Sequence, residues 1–153
     1  MAKKIKIDVD FTEDNNLIGV SCHKKDYWFA YHLNESLKLN LRRLVDFPFF
    51  HPKINDFLNY SLFHDCMQDE QLGYFLIANY NQQSPLFPEL KNTDFFILVQ
   101  GKLEQNKKSD LLSHIRSIKG VLTAFQPEIE NLKEYDNFLS DLELHMTTIR
   151  SKE

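Results

Sequence analysis

Leu72-Gly73-Tyr74-Phe75-Leu76-Ile77-Ala78-Asn79-Tyr80 and Phe95-Phe96-Ile97-Leu98-Val99-Gln100-Gly101 are the two stretches on which the fold turns. Each is apolar at successive positions rather than alternate ones. Successive side chains of a strand point to opposite faces, so these runs read as central strands with both faces covered. Between them, Asn81-Gln82-Gln83-Ser84-Pro85 is a plain loop. Pro88-Glu89-Leu90-Lys91 reads as one helical turn, because Pro suits the first helical position and Glu the first turn.

Upstream, Phe57 to Asp65 alternates, with Leu58, Tyr60 and Leu62 opposed to Asn59 and Ser61. Gln68-Asp69-Glu70-Gln71 is a polar hairpin turn leading into Leu72. Strand, turn, strand, loop, strand is the order of an antiparallel meander. Leu41 to Phe47 is a short strand stopped by Phe47-Pro48, and Phe49-Phe50-His51-Pro52 reads as a loop with exposed aromatics. Phe29, Leu33 and Leu37, with Trp28, Ala30 and Tyr31 beside them, predict a helix over Lys24–Leu39. Leu17 to Cys22 suits a helical turn or a short strand. Glu13-Asp14-Asn15-Asn16 reads as a polar turn able to cap a helix. Lys4 to Phe11 alternates cleanly, which predicts a half-buried strand carrying Ile5, Ile7, Val9 and Phe11 inward.

Downstream, Leu111, Ile115, Ile118, Leu122 and Phe125 predict a helix over Asp110–Phe125 with Ser109 as its cap. A second helix starts at Pro127, with Ile129, Leu132, Tyr135, Leu139, Leu142, Met146 and Ile149 on one stripe. The expected fold is therefore a single α+β domain. It has an antiparallel sheet of about five strands, with the Lys24–Leu39 helix and both C-terminal helices packed on one face.

Composition narrows the classes. Of 153 residues, 42% are hydrophobic and 26% charged, an ordinary globular balance. The net charge of −4 falls wholly within residues 128–153, which hold seven acids and three bases, while residues 1–127 balance. A neutral body with an acidic end lacks the basic face that nucleic acid requires, and fits a solvated helix face. No apolar region follows Lys3-Lys4 and no run approaches the roughly 18 apolar residues of a membrane span, so neither a secretory signal nor an anchor is expected. Cys22 and Cys66 have no paired spacing and read as free thiols of a reducing, cytoplasmic compartment.

At Phe87-Pro88-Glu89-Leu90-Lys91-Asn92-Thr93-Asp94-Phe95 the chain resembles the name-giving motif of the IPExxxVDY family, a group of small Bacteroidetes proteins. Pro88, Glu89 and Asp94 match; Phe87, Thr93 and Phe95 stand for Ile, Val and Tyr. Leu17-Ile18-Gly19-Val20-Ser21 with His23, Lys25-Asp26-Tyr27 and Leu33-Asn34 is similar to a second family segment, and Gly120–Phe125 to a third. Trp28 and the tail after Pro127 depart from the pattern. The resemblance covers roughly residues 4–126. It implies a cytoplasmic bacterial protein and supplies no activity.

The residue types for chemistry are present but scattered. Glu89 and Asp94 have the character of paired carboxylates, or of a helix-start acid and a turn cap. Ser21, Cys22, His23 and Asp26 combine nucleophile, base and orienter types without a glycine-rich elbow. His64 and Cys66, with Cys22, His23 or His51, have metal-ligand character but no finger-like spacing, so neither metal nor cofactor is expected. The 4 glycines are far apart and exclude a phosphate loop.

Lys3-Lys4, Lys24-Lys25, Arg42-Arg43 and Lys107-Lys108, with Tyr74, Phe75, Phe95 and Phe96 as a stacking sheet, carry an alternative reading as an RNA-linked factor that binds structured RNA or an RNA-processing enzyme. The expectation is instead a non-enzymatic, cytoplasmic protein-interaction or adaptor module. Its candidate contact residues are Pro88, Glu89, Asp94, His23, Asp26 and Tyr27. A homodimer through the last helix is expected as well. A third reading is a small-molecule enzyme in which Glu89, Asp94 and His23 converge.

Overall fold

The computed structural model describes residues 15–67 and 72–151, without the side chains of residues 66 and 67. The expected strand Lys4–Phe11 and the Gln68–Gln71 turn lie outside the described residues. The fold is α+β. Its elements are β1 (Asn15–Cys22), α1 (Asp26–Leu37), β2 (Arg42–Arg43), β3 (Phe47–His51), β4 (Asp56–Tyr60), β5 (Leu62–Met67), β6 (Leu72–Ala78), β7 (Phe95–Gln100), α2 (Gln105–Arg116), β8 (Val121–Phe125) and α3 (Tyr135–Ser151). Single 3₁₀ turns form at Pro88–Leu90 and Ile129–Asn131.

Among the described residues six strands form one antiparallel sheet in the order β2-β5-β6-β7-β1-β8, and β3 and β4 form a separate hairpin. The meander β5-β6-β7 is as expected. β1 then pairs with the far edge of β7, from Asn15 opposite Gln100 to Val20 opposite Phe95. Asn15 and Asn16 are thus strand residues and not a turn. The Asn16 amide donates across the sheet to the Val99 carbonyl at 3.3 Å.

The period-two geometry of the strands sorts the core into two halves. Ile18, Val20, Leu76, Phe95, Ile97 and Val99 face α1 and α2, where Phe29, Leu33, Leu111 and Ile115 cover them. Leu17, Phe75, Ile77, Phe96 and Leu98 face the other way, onto the β3–β4 hairpin and α3. This corrects the expectation that all helices share one face. Central strands apolar on both sides need cover on both, and three helices on one side would leave Phe75, Ile77, Phe96 and Leu98 in water.

Three local readings change. The expected loop Phe49–Pro52 is strand as far as His51, within β3: Phe47 and Phe49 are buried against Phe138 of α3, with ring centroids 5.8 and 6.5 Å apart. Asn55 closes that hairpin with φ of 60°, a left-handed value that Asn tolerates. The alternating run Phe57–Asp65 is two strands broken at Ser61, so Leu62 turns from the hairpin into the main sheet. Finally, α2 stops at Arg116, and the stretch expected to continue it is β8, paired with β1. Gly120, at φ of 109°, makes the reversal, and Arg116 Nε donates to the Ala124 carbonyl at 2.9 Å.

Helix α3 begins at Tyr135, not Pro127. Its buried stripe is Tyr135, Phe138, Leu139, Leu142 and Met146. The apolar stripe expected to form a dimer is therefore packed inside the chain's own second core half.

Candidate functional site

The loop from Leu86 to Asp94 carries the motif, and its shape comes from a residue outside it. Asn79, just after β6, is 1% exposed. Its Nδ2 donates to the carbonyls of Leu90 at 2.9 Å and Thr93 at 2.7 Å, and its Oδ1 accepts from Phe87 N–H at 2.9 Å. Its backbone adds bonds from Leu86 N–H at 2.8 Å and to the Asp94 carbonyl at 2.9 Å. One buried amide thus satisfies the turn's inward backbone groups while Leu86 and Phe87 insert into the core. Phe87 stands edge-on to Phe96 and Phe138, at 5.1 and 5.3 Å.

Pro88 opens the 3₁₀ turn as expected, and both Pro88 and Glu89 are exposed. Glu89 Oε2 accepts from Lys133 N–H at 3.1 Å, which ties the motif to the segment before α3. Asp94 points elsewhere. Its Oδ2 accepts from Cys22 N–H at 2.8 Å, capping the end of β1, and lies 3.8 Å from His23 Nε2. The Ser21 hydroxyl donates to the Asn92 carbonyl at 3.1 Å, a second tie between the same segments.

His23 and Asp94 therefore meet, and Glu89 does not join them. Glu89 opens on two clefts that neither His23 nor Asp94 lines. The trio required for a small-molecule enzyme does not assemble. Nor do Ser21, Cys22, His23 and Asp26 form a catalytic set. Cys22 is buried, and burial, followed by the nearby Asp94 charge, raises its thiol pKa; Asp26 accepts from the backbone N–H of Tyr27 at 2.7 Å. Among the described residues no three His, Cys, Asp or Glu side chains are placed to hold a metal ion. His64 Nδ1 is engaged with the Tyr74 carbonyl at 3.1 Å.

Around the His23–Asp94 contact the surface is aromatic. Tyr27 is 67% exposed and Tyr31, one turn further along α1, is 60% exposed. Tyr80 is half exposed, with its ring 5.8 Å from Phe95. Desolvation first, then the carboxylates of Asp26 and Asp94, push the Tyr80 hydroxyl above its usual pKa. Sequence reasoning named His23, Asp26, Tyr27 and Asp94 but missed Tyr80, which reads as the end of an apolar strand.

The proposed RNA-stacking aromatics are all buried: Tyr74, Phe75, Phe95 and Phe96 lie within the two core halves. No base can stack on them in this fold. Arg42 and Arg43 sit on the edge strand β2, while Lys24 and Lys25 follow β1 near the opposite edge. No known protein-family model matches the chain, and no curated protein is detectably similar to it.

Proposed function

We propose that this protein is a non-enzymatic protein-interaction module whose contact surface is the face where the His23–Tyr27 segment meets Asp94. One observation carries the reading. Two segments some 70 residues apart in sequence, each a candidate on its own, are fastened together by the Cys22–Asp94 and Ser21–Asn92 bonds, 72 and 71 residues apart. The joint lies amid Tyr27, Tyr31 and Tyr80, and tyrosine is a residue type enriched at protein interfaces, where its ring gives contact area and its hydroxyl specificity.

The matches at Pro88, Glu89 and Asp94 support membership of the IPExxxVDY family and, through it, a cytoplasmic bacterial setting; a buried free thiol at Cys22 fits that setting. No helix among the described residues is long and apolar enough to cross a membrane. A homodimer through α3 would have to use its outward face, where Leu144 is exposed, since the stripe is occupied.

The test is affinity capture from native lysate with the tagged protein and with Tyr27→Ala/Tyr80→Ala. A nuclease-resistant protein partner is expected with the parent chain and is lost with the double variant, whose circular dichroism and thermal midpoint stay unchanged. Equal capture by the double variant would overturn the assignment of the surface. Partners that disappear with nuclease would move the reading to RNA.

A further inference from the structure

A second surface, separate from the tyrosines, fits a segment of the chain itself. The motif loop and the end of β8 enclose an open cleft of about 280 Å³, lined by Glu89, Leu90, Phe125, Pro127 and Glu128 among others. Leu90, Phe125 and Pro127 are half-buried, so each still offers apolar surface to an occupant. Among the described residues that line the cleft, the two ionisable ones are both acidic and both exposed. Glu89 Oε2 accepts from Lys133 N–H at 3.1 Å, which leaves Oε1 for a ligand. The lining therefore favours a segment that is basic and apolar at once. A helix, about 10–12 Å across with its side chains, is too wide for this volume, so the segment is extended.

One such segment belongs to this chain. Lys3-Lys4-Ile5-Lys6-Ile7, outside the described residues, carries three lysines, two isoleucines and no acid. In extended form Ile5 and Ile7 share one side, with Lys4 and Lys6 on the other. Chain length permits the contact. Phe125 lies opposite Gly19 of β1, four residues on from Asn15, which is about 13 Å at the rise of a strand. The seven residues Asp8–Asp14 can span about 23 Å. Exposed ion pairs are individually weak, but a short tether holds the segment at an effective concentration on the order of millimolar.

We propose that residues Lys3–Ile7 dock in this cleft of their own chain. Ile5 and Ile7 rest on Leu90, Phe125 and Pro127, while the long lysine side chains reach the exposed carboxylates of Glu89 and Glu128. The contact covers Glu89 of the motif and leaves the tyrosine face untouched.

The experiment is nuclear Overhauser spectroscopy of the ¹³C-labelled full-length chain at low salt. Expected are cross-peaks from the Ile5 or Ile7 methyls to the Phe125 ring and the Leu90 methyls. They should weaken about threefold in Glu89→Gln/Glu128→Gln, which keeps an acceptor for Lys133 N–H, and likewise in Lys4→Glu/Lys6→Glu. Absence of these cross-peaks in the parent chain, or undiminished cross-peaks in either double variant, would overturn the proposal. So would cross-peaks seen only between differently labelled copies, which would give the cleft to the segment of a second copy.

Discussion

At Asn79 an amide is enclosed by apolar strands, and both its oxygen and its nitrogen are used on the loop from Leu86 to Asp94. Truncation to alanine would strand the Phe87 N–H and the Thr93 carbonyl in a place water reaches poorly, while the Leu90 carbonyl keeps its bond from Thr93 N–H. Asn79→Ala is therefore expected to cost about 3 kcal/mol, read as a lower urea midpoint with the far-ultraviolet spectrum retained. A cost below about 1 kcal/mol would mean that water replaces the amide. The sequence makes half of this legible. An Asn inside Leu72–Tyr80 is a polar group that burial obliges to find partners. Which backbone groups it finds, 8 to 14 residues onward, depends on how the loop folds back. Asp94 is the converse case: its role as a cap was expected, but its partner Cys22 lies on a strand that chain distance alone does not bring near.

Among the elements, β8 and α3 separate local pattern from tertiary demand. Gly120–Phe125 carries Leu122 and Phe125 at helical spacing, yet Leu122 is 61% exposed and Ala124 is buried. β-branched Val121 and Thr123 fit an edge strand, and an open edge of β1 was available to pair with them. At the preceding turn, a Cβ on Gly120 would lie 2.8 Å from Trp28 Cη2, so this corner admits only glycine without rearrangement. For α3 the helical stripe was legible almost residue by residue, although fully buried Phe138 was not placed on it. Its location was not legible, because an apolar stripe looks the same whether it covers a sheet or a second copy. Deleting residues 127–153 uncovers Phe75, Ile77, Phe96 and Leu98. The truncated chain is expected to lose cooperative unfolding and to aggregate, followed by circular dichroism and gel filtration. A folded, monodisperse product would mean that the β3–β4 hairpin covers that face alone.

Across the whole molecule, pH acts through two histidines in one direction. Burial lowers the pKa of both His51 and His64 below the ordinary histidine value of about 6.5. Above 6.5 both are neutral in the folded and unfolded chains, and they contribute no pH dependence. As pH falls below 6.5 the unfolded chain takes up protons first, so stability declines until the lower folded pKa values are reached. Each unit of separation is worth about 1.4 kcal/mol. Asp141, raised above 3.8 by burial and then by Glu134, works in the opposite sense at more acidic pH. Urea midpoints should therefore fall from pH 7 toward pH 5, and His64→Gln should flatten the fall. A midpoint independent of pH across that interval would contradict the neutral, buried state of both rings.

Local pattern alone determined that this chain is α+β, that Leu72–Tyr80 and Phe95–Gly101 lie at the centre of an antiparallel sheet, and that Pro88 starts a helical turn. Those features depend on spacing between near neighbours, which the residue order carries directly. Tertiary structure decided the rest: which face each helix covers, the strand at Val121–Phe125, the hairpin at Phe47–Tyr60, and the meeting of His23 with Asp94. Each of these is a competition between distant segments for the same apolar face or the same strand edge. The sequence names the competitors, and only packing in three dimensions selects among them, because burial free energy depends on the whole arrangement and not on any one segment's pattern.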